Sequence, residues 1–165
     1  MRVWILSIGL VLVTASTAFA ASPEFDRLKQ LEGRWKGKSV SKHSDAGMSE
    51  EVEVDYHASA GGAVLVETLM PGSDHEMVTT YYEENGKPAM THYCLMGNRP
   101  QLSLAGSDEK KLEFSLRDGS LDASTPHMHA LTLNWTDADH VTQEWTSFAD
   151  GKPNGTTTLQ LSRVQ

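Results

Sequence analysis

Glu51-Val52-Glu53-Val54-Asp55-Tyr56 alternates charged and apolar residues one by one, the period of a strand with one wet face and one buried face. The same alternation returns further along: Leu112, Phe114 and Leu116 oppose Glu113 and Arg117, and Val141, Gln143 and Trp145 oppose Thr142, Glu144 and Thr146. Between such runs stand turn formers: Asp45-Ala46-Gly47, Gly61-Gly62, Pro71-Gly72-Ser73-Asp74, Glu84-Asn85-Gly86-Lys87, Gly106-Ser107-Asp108, Asp118-Gly119, Asp137-Ala138-Asp139 and Asp150-Gly151-Lys152. The spacing predicts about ten strands, near 33–41, 48–57, 62–70, 75–82, 87–95, 100–106, 111–117, 127–135, 139–149 and 154–164. Nothing helical interrupts them. Consecutive hairpins with one apolar face and no helices to cover a sheet favour an all-β, up-and-down antiparallel β-barrel, whose closure removes the exposed edges.

Ahead of the strands, Ser22-Pro23-Glu24-Phe25-Asp26-Arg27-Leu28-Lys29-Gln30-Leu31 joins a capping serine to proline at the first helical position, with apolar residues at 25, 28 and 31. A short helix is expected there, ended by Gly33. Residues 1–20 read differently: Arg2, the apolar run Val3 to Val13, and Ala18-Phe19-Ala20 as a small-x-small cleavage site make a secretory signal peptide. The expectation is a single mature domain over 21–165, secreted, and periplasmic if the source is a Gram-negative bacterium.

The chain of 165 residues carries a formal net charge of −8, which becomes −9 without residues 1–20, since Arg2 is their one charged residue. That balance argues against nucleic acid as a partner, and no run after residue 20 is long enough for membrane insertion. A single cysteine, Cys94, has no partner within the chain. In an exported protein it is a buried inert thiol, an intermolecular bridge, or a functional ligand or nucleophile.

Leu31-Glu32-Gly33-Arg34-Trp35-Lys36-Gly37, a short helix followed by Gly-x-Trp at the first strand, resembles the calycin superfamily of lipocalins, fatty-acid-binding proteins and nitrobindin-like haem barrels. The resemblance implies that Trp35 plugs the closed end and that Arg163, in the last strand, packs over it. A second resemblance runs through His75-Glu76-Met77, Tyr81-Tyr82, Thr91-His92-Tyr93-Cys94, Gly97-Asn98-Arg99-Pro100, His127-Met128-His129, Glu144-Trp145 and Asp150-Gly151-Lys152. Together these look like the bacterial family called domain of unknown function 1579, which implies the fold and no settled activity.

Function is left to the residues. Met90, His92, Cys94 and Met96 share one strand parity, and His127 and His129 share that of Leu131, Leu133 and Trp135. On regular strands lying near each other, His92, Cys94, His127 and His129 would converge as nitrogen and sulfur ligands for zinc, or for copper with methionine nearby. Against this, His-x-His arises by chance, and a histidine inside a barrel is as often satisfied by a tyrosine or a carbonyl.

A second reading is an interior pocket for a small molecule, with His75, Tyr81, Met90, Trp135, Gln143 and Trp145 on or near its walls. Haem on a histidine is its special case, without covalent attachment because Cys-x-x-Cys-His is absent. The third reading is an enzyme using Cys94 with His92 or His127. Gly-x-Ser-x-Gly, His-Glu-x-x-His and phosphate-cradling glycine loops are all missing, so no catalytic residue is assigned. Asn98-Arg99-Pro100 is expected as a plain structural turn, the alternative being a loop that rims the barrel mouth with Arg99 offered to an acidic ligand, and His43, His57 and His140 are expected as solvated.

Overall fold

The computed structural model describes residues 21–42, 48–122 and 124–165; the expected signal peptide, His43 and the Asp45-Ala46-Gly47 turn lie outside the described residues. Helix α1 spans Pro23–Lys29, and the Phe25 amide donates to the capping Ser22 Oγ at 3.2 Å. Ten strands follow: β1 Gly33–Lys42, β2 Met48–Ser59, β3 Val64–Leu69, β4 Met77–Glu84, β5 Lys87–Tyr93, β6 Gln101–Ser107, β7 Lys111–Leu116, β8 His127–Asp137, β9 His140–Ala149 and β10 Lys152–Arg163. Each pairs antiparallel with its sequence neighbours, and β1 pairs with β10, so the sheet closes into an up-and-down barrel. The alternation of the sequence becomes inside and outside, with Val52, Val54 and Tyr56 buried on β2 and Leu131, Leu133 and Trp135 on β8.

One end of the barrel is plugged. Phe25, Leu28 and Leu31 of the helical segment are buried against the core, and Trp35 Nε1–H donates to the Leu31 carbonyl at 2.7 Å. The Arg163 guanidinium lies 4.3 Å from the Trp35 ring centroid and donates to the carbonyls of Glu32 and Gln30, each at 2.7 Å. Those carbonyls belong to the turns just after α1, where the helix has no further amides to offer. Arg163 therefore ties the helix end to the last strand, as expected from the calycin resemblance. At Gly37 the strands β1 and β10 approach so closely that a Cβ would sit 1.8 Å from the Gln160 carbonyl oxygen. Only glycine fits that seam.

The antiparallel registers place inward residues in rows around the wall. Tyr56 faces Glu67, Glu67 faces Thr79, and Thr79 faces His92, one residue from each of β2 to β5. A β-bulge interrupts β8 between Met128 and Ala130, and this extra residue exchanges the faces upstream of it.

Replacing Arg163 with alanine is expected to lower the unfolding free energy by about 3 kcal/mol, since charged hydrogen bonds and ring contact are lost together. Urea denaturation at pH 7 checks this, with Arg163→Lys falling between the two. A loss below about 0.5 kcal/mol would show that the plug does not depend on this residue.

Candidate functional site

The centre of the barrel holds a carboxylate. Glu67 is fully buried on β3, at the inward parity of Leu65 and Leu69, and burial pushes its pKa up while its hydrogen bonds pull it back. Tyr81 donates its hydroxyl proton to Oε2 at 2.7 Å, and Tyr56 donates to Oε1 at 3.1 Å. Gln143 donates from Nε2 to Oε1 at 2.6 Å and to the Tyr56 hydroxyl. Burial and the nearby carboxylate raise the pKa of both tyrosines well above the usual range, so both remain proton donors. A buried carboxylate is tolerated only when donors surround it in this way.

The network reaches the open end through two residues. Trp145 Nε1–H donates to Gln143 Oε1 at 2.8 Å, which fixes the indole, and the His92 ring stands 4.8 Å from it, centroid to centroid. His92 Nδ1 lies 3.0 Å from Thr79 Oγ1. Its other nitrogen, Nε2, is buried and has no hydrogen-bond partner among the described residues. His92 lines a cavity of about 160 Å³ together with Val52, Leu69, Met77, Met128, Trp145 and Leu159. Glu50, Ser39 and Ser41 bring polar groups to the same cavity, and Glu50 itself is exposed. The walls are otherwise apolar, and a cavity near 150 Å³ is the size that holds a benzene ring.

Several expected site residues sit elsewhere. β5 ends at Tyr93, so the shared face of Met90 and His92 does not continue into Cys94 and Met96. Cys94 is half-buried in a turn closed by the hydrogen bond its backbone N–H donates to the Asn98 carbonyl at 3.0 Å, and Met96 is exposed. The bulge in β8 turns His127 and His129 away from the cavity: His127 is buried, with Nδ1 2.6 Å from the Thr125 carbonyl and Nε2 3.1 Å from His129 Nδ1, and His129 stacks on Phe148 at 3.7 Å. Met128, between them, turns inward to line the cavity. Burial and the neighbouring His127 lower the pKa of His129.

The four residues do not form one ligand set: β6 and β7 separate their strands, and no group of three His, Cys, Asp or Glu disposed for a metal occurs among the described residues. His127 and His129 are brought together; Cys94 bonds to no histidine among the described residues, which leaves the thiolate–imidazole reading without geometry. The cavity volume of about 160 Å³ is that of one small ring, whereas a porphyrin is a macrocycle of four. His75 is exposed in the connection before β4, against the outside of Glu50, Glu51 and Met70. Trp135 is buried at the helix end under the Arg27 guanidinium, and Tyr81, Met90 and Gln143 are fully buried and are not among the residues lining the cavity.

Glu67, Thr79 and Glu50 were not picked out from the sequence. The signal was present in parity: Glu67 follows Leu65, Thr79 precedes Tyr81, and Glu50 precedes Val52, each two residues away on an inward face. The Asn98-Arg99-Pro100 segment does lie at the open end, where Asn98 Nδ2 donates to the Pro126 carbonyl at 2.7 Å. His57 is exposed as expected, and exposed His140 pairs with Asp137 at 2.8 Å.

No family model matches the chain, and no curated protein matches it. Among solved structures it is similar to a protein with unknown function from the DUF3598 family of Nostoc punctiforme, at 14% identity and TM-score 0.62, over 83% of this chain and 48% of that one. The chain thus spans about half the length of that protein. It is also similar to Rv2717c from M. tuberculosis, at 16% identity and TM-score 0.60, over 88% of this chain and 100% of that one. At these identities the likeness establishes the barrel fold alone. No helix among the described residues is long and apolar enough to cross a membrane.

Burial lowers the His92 pKa from 6.5 to about 4. The folded value lies below the unfolded one, so stability that is complete above pH 6.5 is lost as the pH falls toward 4. The loss amounts to about 3 kcal/mol. Glu67, raised by burial, has the opposite sign and is shared by wild type and variant. Urea denaturation between pH 7 and 4 is expected to show a shallower acid loss for His92→Gln than for wild type. Parallel curves would place the His92 ring in water.

Proposed function

We propose that this barrel is a binding protein for a small, single-ring ligand, held in the cavity at its open end above His92 and Trp145. One observation carries the reading: His92 lines this largely apolar cavity, and its Nε2 is buried and has no hydrogen-bond partner among the described residues. A buried imidazole nitrogen without a partner costs free energy, and a ligand group placed against it recovers that cost. The volume of about 160 Å³ lies below the range of drug-sized pockets, so the ligand is small. Methionines Met70, Met77 and Met128 around the mouth give an adaptable apolar collar suited to an aromatic ring.

The run Val3–Val13 with Ala18-Phe19-Ala20 supports placing this binding outside the cytoplasm. The resemblance to domain of unknown function 1579 and to the calycins agrees with a ligand-holding barrel and adds no ligand of its own.

Isothermal titration with phenol, a ring of the right volume, is expected to give one site per chain. Met128→Trp, which fills the cavity from the bulge, is expected to weaken binding at least about tenfold while the circular dichroism spectrum stays that of the wild type. Unchanged affinity in the filled variant would contradict binding in this cavity.

A further inference from the structure

The polarity of the ligand follows from the order in which the buried protons must be placed, given that the cavity binds a ligand as proposed above. Indole Nε1–H only donates, so Gln143 turns Oε1 toward Trp145 and its NH₂ toward Glu67 and Tyr56. A Tyr56 hydroxyl that accepts from Gln143 keeps its own proton for Glu67 Oε1, and Tyr81 gives its proton to Oε2. Thr79 stands directly across the strand pair from Glu67, so its hydroxyl proton has a buried carboxylate to turn toward. A Thr79 proton turned to that charge leaves Oγ1, 3.0 Å from His92 Nδ1, to accept, which puts the ring proton on Nδ1.

We propose that His92 presents an unprotonated Nε2 lone pair to the cavity, and that the ligand is a neutral single-ring molecule carrying an O–H or N–H donor, of the phenol or azole class. A ring that offers only acceptors sets lone pair against lone pair, and a ring with no polar atom leaves Nε2 unsatisfied. The apolar walls of Leu69, Met77, Met128 and Leu159 take the ring itself. His92 stays uncharged at neutral pH because burial holds its pKa at about 4, so the lone pair is available under ordinary conditions. Glu67 and Thr79 act here as positioning residues, fixing the tautomer through His92.

The test compares phenol with fluorobenzene, of similar size but lacking the donor, by titration into the full-length mature protein. Phenol is expected to bind at least about tenfold more tightly, and His92→Phe to abolish the difference while fluorobenzene still binds. In the wild type, ¹⁵N spectra of labelled His92 are expected to show the proton on Nδ1, and Thr79→Val to remove that preference. Equal affinity for the two rings, or a proton on Nε2, overturns the donor requirement and leaves cavity binding standing. Failure of both rings to bind overturns the donor requirement and the binding function together.

Discussion

A carboxylate without water must be surrounded by donors, and the interior of this barrel is arranged around meeting that need for Glu67. Tyr56, Tyr81 and Gln143 hydrogen-bond to it directly, and Thr79 faces it from the next strand. Each donor is placed by register: the row Tyr56, Glu67, Thr79, His92 runs over four consecutive strands because their pairings put those positions opposite one another. Gln143 and Trp145 come from β9 and tie that strand to the row. A slip of one residue in any of these strands would turn its polar group outward and leave the carboxylate short of a partner. The network thus specifies the register of half the barrel, and it fixes the two rings, His92 and Trp145, that border the cavity.

The two ends of the barrel divide the work. At the closed end α1, Trp35 and Arg163 form a packed plug whose contacts are satisfied within the protein. The opposite end has a cavity lined by His92, whose buried Nε2 has no hydrogen-bond partner among the described residues. The packed, satisfied contacts are concentrated at the plugged end, and the less satisfied groups lie at the end that bears the cavity. The bulge at His129 contributes to this arrangement, since it turns Met128 into the cavity and both flanking histidines away from it.

Most of the architecture was legible in the sequence. Alternation and turn formers located all ten strands to within a few residues, and Ser22 and Pro23 marked the start of the helix, which ends at Lys29, ahead of Gly33 at the start of β1. Trp35 and Arg163 met as the resemblance implied. The site was legible only in part. His92, Gln143 and Trp145 were recognised as inward, because their strands are regular where they stand. Cys94 and His129 were misplaced, because parity holds only as far as the strand does: β5 stops at Tyr93 and β8 bulges at 129. Neither feature carries a glycine or proline at the critical position to announce it. Glu67 was passed over because one glutamate among valines and leucines resembles a surface position until its partners are known, and those partners lie on other strands.

The central claim, that a small ligand enters the cavity above His92 and Trp145, is tested most directly by methyl NMR of ¹³C-methionine-labelled protein titrated with phenol. Met70, Met77 and Met128 line the cavity, whereas Met96 is exposed on the β5–β6 turn outside it. The account predicts saturable shifts of the Met70, Met77 and Met128 methyl signals with little movement of Met96. Shifts confined to Met96, with the three cavity methyls unmoved, would contradict it.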